Sequence, residues 1–226
     1  MFEKQPQSLR ERVKQLATEA IQAENPSGWF DVLYSESQGD VTQVPWAKLT
    51  VHPYLEDWLS SGNICGEGRS ALVIGCGLGD DAEALASRGF QVTAFDVSPT
   101  AINWCQQRFP DSAVNYVVAD LLNLPAQWEA AVDLVVEIRN IQALPLSIRS
   151  RVIASVGSVV AVSGTLLVIN RFRETEMEPD GPPWPLSSGE LAEFSALNLQ
   201  EVSRLVFYEG EQFDIPQLRL EYQKSA

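Results

Sequence analysis

Apolar and polar positions between residues 71 and 97 come in blocks. Residues 71–74 form an unbroken apolar run, the pattern of a strand covered on both faces. Gly75-Cys76-Gly77-Leu78-Gly79 follows, a turn that small residues allow because glycine reaches positive φ without penalty. Residues 80–87 read as a helix closed by Gly89. Residues 91–95 read as a second strand with Asp96 at its carboxyl end. The order is strand, glycine turn, helix, strand.

The flanking pattern extends this unit. Leu9, Val13, Leu16, Ala20 and Ile21 recur at helical spacing over residues 8–24, with Ser8 and Glu11 as a capping box. Pro26-Ser27-Gly28 breaks that helix, and Pro53 opens another over 53–60. Ser98-Pro99 starts a helix running to Phe109. Strands are predicted at 114–119, 132–137 and 164–171, with a helix at 147–160. Ser187 and Glu190 form a second capping box, and two alternating strands, EVSRLVFYEG and PQLRLEYQK, close the chain. Strands interleaved with helices predict an α/β fold with a mostly parallel sheet and helices on both faces, ending in an antiparallel hairpin.

Composition narrows the function. A chain of 226 residues is most simply one domain, with 1–62 as an N-terminal cover or lid and 70–226 as the ligand-binding core. A net charge of −14 opposes binding to a phosphate backbone, so no nucleic-acid partner is expected. No apolar run approaches a membrane span, and the first residues lack the apolar core of a secretory signal. Cys65, Cys76 and Cys105 are odd in number and lack metal-like spacing. Those features predict a cytoplasmic monomer or homodimer with reduced thiols, no metal and a small-molecule substrate.

The chemistry starts at the glycine turn. In an open α/β sheet a ligand lies across the carboxyl ends of the strands. Asp96 follows Gly75 by about 20 positions, where an acidic residue meets ribose hydroxyls. A dinucleotide fingerprint would place its third glycine at position 80, which here is Asp80, followed by Asp81. Two carboxylates repel a pyrophosphate but are compatible with S-adenosylmethionine (SAM), which has no phosphate and carries an ammonium and a sulfonium.

GCGLGDDA followed by LASRGFQVTAFDVS resembles motif I and the next acidic motif of class I SAM-dependent methyltransferases. Within that class the pattern is similar to the thiopurine, thiol and halide methyltransferase group. The resemblance implies a Rossmann-like three-layer αβα sandwich, a seven-stranded sheet of order 3-2-1-4-5-7-6, and SAM as cofactor. It implies cofactor contacts at Gly75, Cys76, Gly77, Gly79, Asp96 and Val97. It also implies that Asp120 and Leu121 border the adenine, and that Glu137, before Ala143-Leu144-Pro145, lies beside the methyl donor. Asp120 and Glu137 also read as a turn-capping aspartate and a surface carboxylate.

Other residues are open to two readings. Trp29, Phe30, Tyr34, Trp46, Tyr54 and Trp58 cluster before the first strand. Trp29 and Trp46 read either as core or as cofactor contacts, since tryptophan is the best partner for a cation. Trp184, in Gly-Pro-Pro-Trp-Pro, reads as an acceptor-pocket wall or as ordinary loop packing. Arg139 and Asn140 match no catalytic motif and are candidate substrate contacts. Arg171 and Arg173 share a face across Phe172, suited to an anionic acceptor or to the chain's own carboxylates.

The expected reaction is in-line transfer of a methyl group from SAM to a small molecule, possibly a thiol or another soft nucleophile. Such an acceptor needs no general base; an oxygen acceptor would draw on His52, Glu137 or Tyr34, and His52 also reads as a capping or surface histidine. The competing readings are a SAM- or nucleoside-binding protein without transferase activity and a nicotinamide-dependent oxidoreductase.

Overall fold

A computed structural model describes residues 7–179, 181–212 and 214–226. Seven strands form one sheet: β1 (Ser70–Ile74), β2 (Gln91–Asp96), β3 (Asn115–Val118), β4 (Val132–Ile138), β5 (Val160–Arg171), β6 (Leu199–Glu209) and β7 (Ile215–Lys224). Their order is β3-β2-β1-β4-β5-β7-β6, as the resemblance implied. The first five strands pair in parallel, and β7 runs antiparallel between β5 and β6.

The helices are α1 (Gln7–Gln22), α2 (Trp29–Glu36), α3 (Pro53–Ser61), α4 (Asp80–Ser87), α5 (Pro99–Arg108), α6 (Arg149–Ser158) and α7 (Ser188–Ala196). Alternation along the strands decides which layer each side chain joins. Leu72, Ile74, Val135 and Val168 pack with Val152, Ile153 and Val156 of α6 and Phe194 of α7. Ala71, Val73, Leu134 and Val136 pack on the other face with Leu55 and Leu59 of α3, Leu85 of α4 and Ile102 of α5. Burying each large aliphatic side chain contributes about 1.5–3 kcal/mol, so both faces of the central strands need cover. That is why these strands read as continuous apolar runs.

Four local expectations change. The described part of α1 begins at Gln7, so Ser8 lies inside its first turn rather than capping it. Trp29–Glu36 is a helix, which the aromatic cluster alone did not signal. A single helical turn at Leu146–Ile148 precedes α6, and Val160 belongs to β5 rather than to the helix. Strand β5 therefore starts before Gly164. Ser163 takes φ +64°, and the pairing with β4 shifts between Val132 and Leu134. The Ser-Gly pair lies at an irregularity inside one strand, not at its boundary.

The capping box of α7 forms as expected: Ser187 Oγ accepts from the Glu190 N–H, and the Glu190 carboxylate accepts from the Ser187 N–H. Among the described residues, no helix is long and apolar enough to cross a membrane.

Candidate functional site

The site begins where β1 ends. Gly75, Gly77 and Gly79 take φ of +54°, +56° and +91°. At two of these positions close approach adds a second reason for glycine. A Cβ on Gly75 would lie 1.9 Å from Asn140 Oδ1, and one on Gly79 would lie 2.5 Å from Tyr116 Oη. The turn is tied to β2 by Asp96: Oδ2 accepts from the Gly77 N–H at 3.0 Å and Oδ1 from the Ser98 N–H at 2.9 Å. Asp96 is 7 % exposed, and burial raises its pKa to about 6 against the pull of those hydrogen bonds.

A second turn, after β4, meets the first. The Asn140 side chain donates to the Ile74 carbonyl at 2.7 Å and the Ile138 carbonyl at 3.1 Å. Glu137 is fully buried; its Oε1 accepts from the Asn140 and Ile141 N–H groups at 2.6 and 2.9 Å, and Oε2 accepts from Asn170. Burial pushes the Glu137 carboxyl up to about 7. Glu137 thus folds the turn from beneath.

Above both turns lies one cavity. Of the residues expected at the site, it is lined by Gly75, Asp96, Val97, Asp120, Leu121, Trp29, Trp46, Tyr34, Arg139, Asn140 and Arg171. Cys76, Gly77, Gly79 and Glu137 do not line it; Gly77 and Glu137 bond Asp96 and Asn140, which do. Asp120 folds its own turn, with Oδ1 accepting from the Leu122 N–H at 2.9 Å. The roof comes from the N-terminal elements: Val13, Trp29, Phe30, Pro45 and Trp46. Trp29 stacks on Phe30, with ring centroids 4.1 Å apart, and Trp46 Nε1 donates to Tyr34 Oη at 2.6 Å. Asp31 fastens the roof to the core by accepting from Ser98 Oγ at 2.6 Å.

None of the three base candidates suits that role. His52 does not line the cavity: its Nδ1 accepts from the Tyr54 N–H at 3.3 Å, capping α3. Burial, helped by Arg139, lowers its pKa to about 3, so it is a very weak base. Burial and the nearby Asp96 hold the Tyr34 phenol well above its usual range, so it stays protonated. Glu137 is fully buried and does not line the cavity.

Asp80 and Asp81 also differ from expectation. Asp80 pairs with the Arg108 guanidinium through two 2.8 Å bonds, and Asp81 accepts from the His52 N–H at 2.7 Å. Neither faces the cavity, so the repulsion expected against a pyrophosphate does not act directly.

The arginines separate. Arg139, with φ +67°, lines the cavity and pairs with Glu209 at 2.7 Å. Arg171 lines it too, whereas Arg173 pairs with Glu190 at 2.8 Å. Arg149 lies 3.5 Å from the same carboxylate and donates to the Trp184 carbonyl at 3.1 Å. Trp184 itself misses the cavity and borders a separate recess beside Lys14, Ala17 and Ile21 of α1. Pro182 and Pro183 supply the wall expected of it. Gln142, which the sequence did not single out, lines the cavity as well. Inside the Ile-Gln-Ala turn it reads as an ordinary exposed polar residue.

Residues 71–164 match the family model described as a methyltransferase domain. No curated protein matches the chain. Among solved structures, the N-methyltransferase NodS from Bradyrhizobium japonicum, in complex with S-adenosylhomocysteine, is 23 % identical with a TM-score of 0.65; the likeness covers 86 % of this chain and 97 % of that one. The 1,6-didemethyltoxoflavin-N1-methyltransferase of Burkholderia thailandensis, with bound 1,6-didemethyltoxoflavin and S-adenosylhomocysteine, is 16 % identical with a TM-score of 0.65, covering 94 % of this chain and 91 % of that one. The [4+2]-cyclase SpnF is 16 % identical with a TM-score of 0.65, covering 76 % and 80 %. At such identities these structures share the fold, and one fold hosts several chemistries.

Proposed function

We propose that this chain, a SAM-dependent methyltransferase by its domain match and fold, transfers the methyl group to a small molecule held over the ends of β4 and β5. The acceptor is a soft nucleophile, such as a thiol, that reacts without a general base. The observation carrying this reading is the cavity lining. Among the described residues that line it, none is a histidine, lysine, cysteine or glutamate.

The residues present fit SAM. In this reading Asp96 accepts from the ribose hydroxyls, as its place at the end of β2 and its position on the cavity wall suit. Asp120 accepts from the adenine amine, and Val97 and Leu121 flank the ring. Trp29 and Trp46 line the cavity, and aromatic rings there suit a cation. SAM supplies a methyl group already activated on sulfur. The chain's own work is alignment and dryness: the roof of Trp29, Phe30 and Trp46 excludes water, and the β4 and β5 ends hold the acceptor in line. Residues 1–62 act as a cover over the 70–226 core; residues 1–6 of that cover lie outside the described residues.

Isothermal titration with SAM, with NAD in parallel, tests the cofactor reading. Micromolar SAM binding with silent NAD supports it, and NAD binding with silent SAM overturns it. A screen of small thiols, phenols and carboxylates for methylated product then tests the acceptor. Turnover of phenols alone would refute the soft-nucleophile reading.

A further inference from the structure

Gln142 is 3 % exposed, yet it lines the cavity on the side built by Ala143, Leu144, Arg171 and Pro183. Its side chain is oriented by the protein. Oε1 accepts from the Arg171 N–H at 2.6 Å, so the amide cannot be turned over without leaving that buried donor unpaired. Its main-chain carbonyl accepts from the Trp184 N–H at 2.7 Å, which pins the residue from the other side. With Oε1 committed, Nε2 carries two N–H donors. Among the described residues nothing takes them, and Nε2 is not one of the atoms shut away from space. An amide this buried, with fixed orientation and donors left over at a cavity wall, is a binding group awaiting a partner.

The surroundings say what the partner is like. Beside Gln142 the cavity is lined by apolar Leu144, Pro182 and Pro183 and by Arg171, and an aromatic ring, Phe30, lines the same cavity. The cofactor-side carboxylates, Asp96 and Asp120, stand on other strands, at the ends of β2 and β3. We propose that Gln142 orients the methyl acceptor by donating from Nε2 to a carbonyl or carboxylate oxygen on a flat, conjugated molecule. This rests on the methyltransferase reading of the same cavity. A molecule that lacks such an oxygen leaves the donors desolvated and unpaired, and sites built this way discriminate strongly against it.

The test uses the 226-residue chain loaded with S-adenosylhomocysteine (SAH) and three probes: 2-naphthoate, 2-naphthamide and 2-ethylnaphthalene, titrated calorimetrically. The two oxygen-bearing probes are expected to bind wild type about tenfold or more tighter than 2-ethylnaphthalene, a difference of about 1.4 kcal/mol. Gln142→Glu keeps an oxygen for the Arg171 N–H and replaces the donor with a carboxylate. It should bind 2-naphthamide better than 2-naphthoate, because the probe's own amide donates and its carboxylate is repelled. Gln142→Leu should lose the preference for oxygen, with SAH affinity within about twofold of wild type by the tenfold-per-1.4 kcal/mol scale.

A merely structural role would weaken all probes alike and would not change their order in Gln142→Glu. An unchanged order in both variants overturns the proposal, and so does the failure of every probe to bind wild type that binds SAH. Failure of SAH itself to bind would overturn the methyltransferase reading instead.

Discussion

Gly75 and Asn140 compete for one space: a Cβ on Gly75 would sit 1.9 Å from the Asn140 amide oxygen, while the Asn140 amide nitrogen bonds the carbonyl of Ile74 at 2.7 Å. The end of β1 and the turn after β4 are therefore fitted as a pair. Gly75→Ala should displace Asn140 as well as strain a residue at φ +54°. Backbone strain of this kind costs about 1–3 kcal/mol. The expected result is that loss in urea denaturation, together with weakened SAM binding by titration.

Asp96 carries the most specific prediction about the cofactor. Asp96→Ala should weaken SAM by about 1.5–3 kcal/mol, the usual size for hydrogen bonds to a charged group. Burial holds the free carboxyl near pH 6, and its ionised form is the better acceptor. SAM affinity in the wild type should thus rise as pH goes from 5 to 7, and Asp96→Asn should flatten that rise. An unaltered affinity in folded Asp96→Ala removes the ribose assignment.

Glu137 predicts a pH effect on stability rather than binding. Its folded pKa, about 7, lies above the ordinary 4.5, so the folded protein holds the proton more tightly than the unfolded chain. The resulting stabilisation is complete below about pH 4.5 and is lost as pH rises through about 7, with a slope of at most about 1.4 kcal/mol per pH unit. Glu137→Gln should remove that slope in thermal or urea melts between pH 5 and 8. Asn170 Oδ1, buried without a partner among the described residues, is placed to receive the new amide.

His52 should matter to the fold and not to the chemistry. His52→Ala removes the cap of α3 and should lower stability by about 0.5–2 kcal/mol. Once an acceptor is known, the pH–rate profile of the folded variant should match wild type. Loss of an ionisation from that profile would return His52 to the reaction.

The fold was largely legible because its signals are short-range. The apolar runs of β1 and β4, the positive-φ glycines and the capping box at Ser187 each act within a few residues. The methyltransferase-domain match over residues 71–164 agrees with the reading of residues 71–97, and the solved structures share the fold expected of it. What sequence could not show was orientation. Asp80 turns to Arg108 and Asp81 to the start of α3, so the preference for SAM over a dinucleotide rested partly on an interaction that the structure does not contain. Trp184 lies off the cavity and Gln142 on it for the same reason. A tryptophan between prolines suggests a pocket wall, and a glutamine in a turn suggests solvent, but the path of the loop decides which one reaches the cavity.

The Glu190 carboxylate starts α7, receives Arg173 and stands near Arg149, and Arg149 in turn holds the loop that brings Pro182 and Pro183 to the cavity. One charged group therefore secures both a helix end and a wall of the cavity. Fraying at that helix end would deform the chamber while the sheet is still intact. Heat inactivation should accordingly set in below the temperature at which the circular dichroism of the sheet and helices collapses.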